Sequence, residues 1–446
     1  MTQKKNSFLK DSFITLIRQV TSIIIGTLLI IILARVLGPE LQGQYSMIII
    51  FPAMLAMFTN FGLNISTVYY VSKEEVTFKD AFYSNFIVGM SLSAIAIVAG
   101  AIYVYFFGEM SFKDVDPNYF YFILLVVPIM LLNTFFQTIF QGIQDFKVFN
   151  TILVITQITN LIFVIILVVF LDFGLMGALY SFLFGHLVTF LFILSLFLRK
   201  YKINIRKARL DYPYLKKSFK YGFKSYLSNL VTFLNYRLDI YLVGFFVNPY
   251  AVGLYVTAVN IGEKLSVFTQ SISTVLLPKI AAMGTEEERN QLTSLVSRFT
   301  LLFMILFGFA VFLGTDFIVG ILGDKYEESS LFLKILLPGI SLLAVEKVLS
   351  NDIAARGKPE INMYVSIFNV VFSTIINIII IPKYGAVGAA ITTTVTYSLS
   401  FFIKSFLFGK ITGEVWSNFL LIKKQDVQLV KKIVKRQSFV KKLLRS

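Results

Sequence analysis

Apolar runs long enough to cross a membrane recur along this chain, and they constrain its fold more than any other feature. A helix that spans a bilayer needs roughly 20 apolar residues. With 57% hydrophobic and 15% charged residues over 446 positions, the chain has too little polar sequence for a soluble fold of that size. The sequence therefore predicts an all-α polytopic membrane protein. About twelve transmembrane helices are expected, at 12–36, 45–71, 82–107, 118–142, 150–171, 175–198, 220–247, 252–277, 295–320, 329–355, 361–381 and 386–408.

Two phrases recur at one spacing and indicate an internal duplication. PELQGQY at 39–45 follows the first apolar run, and PYAVGLY at 249–255 follows the seventh, about 210 residues later. GLMGA at 174–178 returns as GAVGA at 385–389 with nearly the same offset. Six helices per unit keep both halves in one orientation, so we predict two six-helix lobes. The expected segments are a first lobe at 1–205, a basic cytoplasmic linker at 206–218, a second lobe at 219–410 and a basic cytoplasmic tail at 411–446.

The distribution of basic residues predicts the orientation in the membrane. Lysines and arginines crowd the connection between the sixth and seventh spans, where Asp211 is the one acidic residue, and such loops stay in the cytoplasm. With twelve spans, both termini are then cytoplasmic. No cleavable signal peptide is expected, because residues 1–11 are polar and the first apolar run is long enough to be a helix in its own right.

The net charge of +16 does not indicate a nucleic-acid partner, because the basic residues lie in inner loops and in the tail. Topology and anionic membrane lipids explain them there. Residues 427–445 alternate apolar and basic positions at roughly helical spacing, which is typical of an interfacial amphipathic helix; a disordered basic tail is the alternative.

Motifs of catalysis and of tight cofactor binding are absent from the sequence. It has no cysteine, no GxxxxGK[ST] phosphate loop and no HExxH zinc motif. The single histidine, His186, lies within the sixth span, where a packed, hydrogen-bonded side chain is the commoner role. We therefore predict a protein that is not an enzyme and that has neither a cofactor nor a metal site. Any active transport must then draw on an ion gradient, the membrane potential or the substrate's own gradient.

Ionisable and amide side chains inside the predicted spans are the main functional signal. A charged group at membrane depth costs several kcal/mol, so it should face a cavity or a partner. The charged candidates are Arg18 and Arg35 in the first span, Arg237 and Asp239 in the seventh, and Glu263 and Lys264 in the eighth; Glu346 and Lys347 also lie deep in the tenth. The amide candidates are Asn60, Asn64, Asn260, Gln270 and Asn369. Interhelical hydrogen-bond seams are the alternative for the amides, and snorkelling to the surface is the alternative for Arg18 and Arg35.

Two stretches carry a family resemblance. ARVLGPELQGQY at 34–45 resembles a phrase of bacterial polysaccharide-repeat-unit flippases, and YRLDIYLVG at 236–244, followed by VGLYVTA at 252–258, resembles their helix-seven signature. The resemblance runs from about residue 8 to 408. It identifies the chain as similar to the Wzx-type branch of the multidrug, oligosaccharidyl-lipid and polysaccharide exporter superfamily.

The resemblance implies a MATE-like fold, in which two lobes surround a central cavity. It implies a flippase in the bacterial cytoplasmic (inner) membrane that moves undecaprenyl-diphosphate-linked oligosaccharides to the outer leaflet for surface polysaccharide biosynthesis. Arg18, Arg35, Arg237 and Lys264 would match the charge of the diphosphate, because cations at membrane depth bind phosphate strongly. The five amides would contact sugar hydroxyls in the cavity, and Asp239 or Glu263 would bind a coupling H+ or Na+. Polysaccharide polymerase machinery is a further expected partner.

Three alternatives stay open on the sequence. Lipid II flippases share the fold but typically have fourteen helices. Multidrug extruders have twelve but favour organic cations, for which a cavity rich in arginine and lysine is unsuitable. A membrane polymerase or ligase would usually carry a large outer loop, and the loops here are short.

Overall fold

The computed structural model describes residues 2–204, 209–281, 283–426 and 428, without the side chains of 2–14, 16, 266–275, 277–279 and 281. Every regular element in this part of the chain is helical. The helices are α1 (Thr2–Thr59), α2 (Leu63–Ser72), α3 (Phe78–Ser111), α4 (Pro117–Ile123), α5 (Val126–Gly142), α6 (Phe146–Val164), α7 (Gly174–Ser195), α8 (Tyr212–Phe246), α9 (Pro249–Ala281), α10 (Glu286–Gly320), α11 (Glu327–Ala355), α12 (Pro359–Thr412) and α13 (Trp416–Leu420). Short π-helical turns, Ile165–Phe170 and Leu196–Lys200, extend α6 and α7, and a 3₁₀ turn, Asp324–Tyr326, precedes α11.

The prediction of an all-α membrane protein is confirmed. Seven helices of the described chain are long and apolar enough to cross a membrane, among them Ile17–Thr59 and Pro359–Thr412, with 43 and 54 residues. Each of these two is far longer than the roughly 20 residues of one crossing. Pro359–Thr412 contains the predicted spans 361–381 and 386–408, whereas Ile17–Thr59 contains most of 12–36 and only the first part of 45–71. Helices α8, α9 and α11 coincide with three more predicted spans and have 35, 33 and 29 residues.

Two of the long helices change direction at a glycine. In α1 the kink lies at Gly38, whose φ is +71°, and in α12 it lies at Gly385, whose φ is +57°. We expected separate spans joined by loops at these places. Glycine has no Cβ, so it adopts a positive φ without a steric penalty and lets consecutive spans join through a kink. Pro39 and Pro382 lie beside the kinks and remove a helical hydrogen-bond donor there.

The second predicted span, 45–71, is not continuous, which corrects the sequence-based expectation. The helix stops at Thr59 and restarts at Leu63, and Phe61 and Gly62 between them have φ values of +47° and +78°. The Oδ1 atom of Asn60 accepts a hydrogen bond from the Gly62 amide at 3.2 Å, which satisfies part of the exposed backbone. Discontinuous helices of this kind are tolerated at membrane depth only where protein or a cavity covers them.

Gly222 of α8 supplies that cover. A Cβ built on Gly62 would lie 2.2 Å from the Gly222 carbonyl oxygen, and one built on Gly222 would lie 2.3 Å from the Gly62 carbonyl oxygen. The two backbones are therefore in direct contact, and neither position has room for a side chain. This pair of glycines therefore allows the broken helix to approach α8 closely.

The chain divides into two compact units. Unit 1 comprises Met1–Ala258, Asp316–Phe332 and Ser373–Ala389, and unit 2 comprises Val259–Thr315, Leu333–Phe372 and Ala390–Ser446. The two units are defined by how residues pack, whereas the predicted lobes are defined by repetition in the sequence. The units therefore do not test the lobe boundaries, which stay a prediction.

Each unit has its own buried core. In unit 1 the fully buried rings of Phe136 and Phe197 each lie with their centroids 4.6 Å from that of Phe82. In unit 2 one apolar cluster contains Leu276, Ile280 and Val348, and a second contains Leu349, Phe408 and Phe419. The predicted amphipathic helix in the tail, at 427–445, lies outside the described residues except for Gln428.

Candidate functional site

The duplicated phrases meet inside unit 1. A Cβ built on Gly43 would lie 1.7 Å from the carbonyl oxygen of Pro249, and one built on Gly253 would lie 1.9 Å from the carbonyl oxygen of Pro39. The glycine of each phrase thus faces the proline of the other. We call this contact, between residues 39–43 and 249–253, the phrase junction.

Buried polar side chains lie beside the phrase junction. Gln42 is 4% exposed, and its Oε1 atom accepts a hydrogen bond from the Thr257 hydroxyl at 3.4 Å. The Tyr326 hydroxyl also lies within hydrogen-bond distance of the Gln42 Oε1 atom and is 3.3 Å from the Ala34 carbonyl oxygen. These contacts tie α1 to α9 and to the turn before α11.

Asp239 is a buried carboxylate whose two oxygens both accept hydrogen bonds. The Tyr255 hydroxyl donates to Oδ2 at 2.6 Å, and the Ile240 amide donates to Oδ1 at 2.8 Å. Tyr255 is itself completely buried and belongs to the second repeated phrase. Donors of this kind offset the cost of burying a carboxylate. A site for a coupling ion at Asp239 would therefore include Tyr255, which sequence reasoning did not select.

The three predicted arginines of unit 1 have different surroundings. Arg18 is half-buried, and its buried Nε atom has no hydrogen-bond partner within the described part of the chain. Arg35 is exposed, and its Nε atom donates to the Ile321 carbonyl oxygen at 2.7 Å. Arg237 is half-buried, and its Nη1 atom lies 3.4 Å from the Tyr236 carbonyl oxygen. A buried donor without a partner is costly, so Arg18 is the arginine most in need of an anionic partner.

A second group of ionised residues lies within unit 2. We call Glu263, Lys264, Glu346, Lys347 and Lys404 the charged cluster. The Lys404 side chain is 2% exposed, and its ammonium lies 3.1 Å from the Glu346 carboxylate. The Lys347 ammonium interacts electrostatically with Glu346 and Glu263, and the Lys264 ammonium with Glu263. The cluster therefore joins helices α9, α11 and α12.

Lys404 is the member of the charged cluster that sequence reasoning missed. Its ammonium also donates to the Ser350 hydroxyl at 2.7 Å and to the Asn362 Oδ1 atom, so three acceptors surround it. From the sequence alone, a single lysine two turns before the end of α12 is expected to snorkel to the membrane surface. Its burial becomes visible only through the residues that surround it in the structure. Its partner Glu346 was recognised as deep but was not assigned to the site.

The cluster carries an excess of positive charge. Its members are three lysines and two glutamates, which leaves one net positive charge when all are ionised. Lys264 and Glu263 are half-buried, so they lie at the more accessible end of the cluster. Such a group attracts an anion and repels a cation, and at membrane depth the interaction is weakly screened.

The predicted amides are distributed over both units. In unit 1, Asn60 stabilises the helix break and Asn64 is half-buried on α2. In unit 2, Asn260 is half-buried one turn before the charged residues of α9. Asn369 is buried and donates to the Ser400 hydroxyl at 2.9 Å, as in an interhelical seam. The side chain of Gln270 lies outside the described residues.

Sequence comparison relates the chain to proteins of polysaccharide biosynthesis. A family model described as "Polysaccharide biosynthesis protein" matches residues 8–284. The chain is 26% identical over 227 residues to a Haloferax volcanii protein named "Probable low-salt glycan biosynthesis flippase Agl15", with 50% of this chain and 46% of that protein covered. The match therefore spans about half of that relative. This chain is also 24% identical over 384 residues to the Staphylococcus aureus "Capsular polysaccharide biosynthesis protein CapF", with 83% of this chain and 91% of that protein covered.

Structure comparison identifies the fold. An inward-facing multidrug resistance MATE family transporter of the MOP superfamily aligns with a TM-score of 0.75 at 16% identity and covers 90% of this chain and 98% of that one. The lipid II flippase MurJ, in an inward closed conformation, aligns with a TM-score of 0.70 at 20% identity and covers 96% and 93%. The expected MATE-like fold is thereby confirmed.

Proposed function

This chain belongs to the polysaccharide biosynthesis protein family, and from that membership we propose that it is a flippase for undecaprenyl-diphosphate-linked oligosaccharide repeat units. It would move them from the inner to the outer leaflet of the bacterial cytoplasmic membrane by alternating access, with both of its own termini in the cytoplasm. The observation that carries the proposal is the similarity to relatives whose names state glycan flipping and capsule biosynthesis. These relatives and the MATE-like fold point to a transporter and not to an enzyme.

The charges described within each unit support an anionic headgroup. The charged cluster has one positive charge in excess, and the buried Arg18 Nε atom has no hydrogen-bond partner among the described residues. A diphosphate offers negative charge and several acceptor oxygens, which match lysine and arginine donors. An organic cation would be repelled by the same groups. The electrostatics therefore favour lipid-linked glycan over the cation-antiport alternative.

We assign the predicted residues to three roles within this proposal. Arg18, Arg35, Arg237 and Lys264 would contact the diphosphate during the cycle. The amides Asn60, Asn64, Asn260, Gln270 and Asn369 would contact sugar hydroxyls. Asp239 and Glu263 would bind a coupling H+ or Na+, and polysaccharide polymerase machinery would receive the flipped repeat unit.

The phrase junction fits the proposed alternating access. Backbone contact at Gly43 and Gly253 leaves no room for a side chain or a ligand between the two segments while it persists. An alternating-access cycle needs such a contact to form and separate as the two repeats move. We propose that the junction is closed in the conformation described here and separates when the repeat unit leaves.

The test is complementation of a strain that lacks the gene. The lipid-linked glycan should accumulate on the cytoplasmic leaflet in the deletion strain, and the wild-type gene should restore polymer export. Lys264→Ala should reduce export by about ten- to a hundredfold, since a charge-assisted contact contributes about 1.5–3 kcal/mol. Lys264→Arg should retain part of the activity because it preserves the charge.

Lys358→Ala is the matched control, because Lys358 is exposed at the start of α12 and lies outside the charged cluster. All variants should insert at wild-type levels. Altered drug sensitivity without any accumulation of lipid-linked glycan would reject the flippase and favour drug export.

A further inference from the structure

A polar cavity of about 500 Å³ lies within unit 2, apart from the charged cluster. One wall is a single face of α10, formed by Gln291, Ser294, Leu295 and Arg298, which recur at helical spacing. The opposite wall comes from the chain around and after the short helix α13, namely Glu414, Asn418, Lys423, Gln425 and Asp426. The flippase proposal gives this cavity no role.

A buried ion pair connects the two walls of the cavity. The Arg298 guanidinium donates to both carboxylate oxygens of Asp426, from Nε at 2.6 Å and from Nη2 at 2.7 Å. Its Nη1 atom donates to the Asn418 carbonyl oxygen, and the Lys423 amide donates to Asp426 Oδ2 at 2.9 Å. Arg298 and Asp426 are 8% and 4% exposed, so the pair is structural and neutralises itself.

Two charges of opposite sign remain to face a ligand. The Lys423 ammonium donates to the Asn418 Oδ1 atom at 2.8 Å, and the Asn418 Nδ2 atom donates to the Glu414 carboxylate at 2.6 Å. Lysine and glutamate are thus separated by one amide side chain. The ammonium has two further donors and the carboxylate has further lone pairs. The lining is neutral overall but presents a positive and a negative group side by side.

Ser294 points to an occupant of the cavity. The residue is 4% exposed, it lines the cavity, and its Oγ atom has no hydrogen-bond partner within the described part of the chain. A buried hydroxyl without a partner costs about 1–3 kcal/mol, which a bound ligand would recover.

The cavity adjoins a surface suited to the membrane interface. Val415, Trp416, Leu421 and Ile422 are exposed apolar residues around α13, and the Trp416 ring stacks on Phe402 of α12 at 6.0 Å. Lys423 and Lys424 come directly after Ile422 in the sequence. Tryptophan beside lysine is typical of the headgroup level of a bilayer. The ligand that reaches this cavity most readily is therefore a phospholipid.

We propose that the cavity binds the headgroup of a zwitterionic phospholipid, with its phosphate at Lys423 and Ser294 and its ammonium at Glu414. The side-by-side charges of the wall match the phosphate and ammonium of an ethanolamine headgroup. The neutral lining favours such a headgroup over an anionic one, for which the Glu414 carboxylate is repulsive. The bound lipid would fix α13, and with it the start of the basic tail, at the membrane surface.

Native mass spectrometry of the purified full-length protein tests this with phosphatidylethanolamine, phosphatidylglycerol and soluble glycerophosphoethanolamine as separate probes. Phosphatidylethanolamine should bind most tightly. Lys423→Gln should weaken it about tenfold, whereas Lys424→Gln, which makes the same charge change at the next residue outside the cavity, should weaken it less than about twofold. Glu414→Gln should abolish the preference for phosphatidylethanolamine over phosphatidylglycerol.

Equal losses for Lys423→Gln and Lys424→Gln would show general surface attraction and overturn the site. If the wild-type protein bound phosphatidylglycerol more tightly than phosphatidylethanolamine, the assignment of a zwitterionic headgroup to the cavity would be wrong. If soluble glycerophosphoethanolamine bound as tightly as phosphatidylethanolamine, the ligand would not need to be a membrane lipid, and that part of the proposal would be wrong. Both lysines are exposed, so their variants should fold, and the readout does not depend on flipping.

Discussion

Gly43 of α1 lies directly against the carbonyl oxygen of Pro249 of α9, and the chain repeats this relationship with the partners exchanged at Gly253 and Pro39. The two phrases, which share a pattern in the sequence, thus contact each other in the structure. The sequence repeat predicts that two similar segments exist, and the contact shows why each carries a glycine at its fifth position. Any side chain there would push the two helix ends apart.

Gly43→Ala should bias the protein toward the state in which the phrase junction is open. Overpacking of this kind costs about 1–3 kcal/mol, which shifts a two-state equilibrium by about five- to a hundredfold. The chain has no cysteine, so Ser46→Cys, at a buried position one turn from Gly43, provides a single label. Labelling by a membrane-impermeant maleimide should rise by a similar factor when Gly43→Ala is added.

Gly320→Ala is the control for that experiment, because a Cβ at Gly320 meets nothing within 4 Å. It should leave labelling unchanged. If Gly43→Ala labels no faster than Gly320→Ala and exports polymer normally, the junction does not gate transport.

The Arg298–Asp426 pair should make stability depend on pH. The hydrogen bonds from Arg298 hold the pKa of Asp426 below its usual value. A lowered folded-state pKa stabilises the fold above the unfolded value of about 3.9, and that contribution is lost as pH falls through the folded pKa. Asp426→Asn should therefore destabilise the protein at pH 7, by about 3–5 kcal/mol for a broken buried pair, and by progressively less below about pH 4.

Thermal unfolding in detergent at several pH values measures this difference. Asp324→Asn, at an exposed position, should leave the unfolding temperature nearly unchanged at every pH. An Asp426→Asn deficit that is as large at pH 3 as at pH 7 would contradict the ion-pair explanation.

Lys404 and Glu346 should behave as a structural pair. Lys404→Met leaves the Glu346 carboxylate buried without its ammonium, which should cost about 3–5 kcal/mol. Adding Glu346→Leu should recover most of that loss, because the double variant buries no unpaired charge. It also preserves the single net positive charge of the cluster, so polymer export should return with stability.

Unfolding temperature and export are the two measurements for this pair. A double variant that regains stability but exports no polymer would assign Lys404 or Glu346 a direct part in transport.

Ion coupling should depend on Asp239 or Glu263. Both are acids in helices that the sequence places at membrane depth, and Asp239 is buried with Tyr255 as its donor. Replacing the essential acid with its amide keeps the shape but removes the exchangeable charge. At least one of Asp239→Asn and Glu263→Gln should abolish gradient-driven flipping in proteoliposomes, while Glu287→Gln, exposed at the start of α10, should not. Intact driven transport in both variants would place coupling elsewhere.

The sequence alone determined the helical class, the approximate position of most of the spans and the recurrence of the two phrases. Apolar runs of bilayer length leave the backbone no alternative to helices, since unpaired backbone groups are too costly in lipid. A repeat is likewise a property of residue order and needs no coordinates. Glu263 and Lys264 were recognisable for the same reason, because charge in an apolar run is visible locally.

Only the tertiary structure decided which of these residues have partners. The break after Thr59 is covered by Gly222, about 160 residues away, and the burial of Lys404 depends on Glu346, Ser350 and Asn362 on other segments. The ion pair of Arg298 with Asp426 joins residues 128 positions apart. The cost of a buried charge is set by the groups around it, and those groups come together through packing between helices that local sequence patterns do not encode.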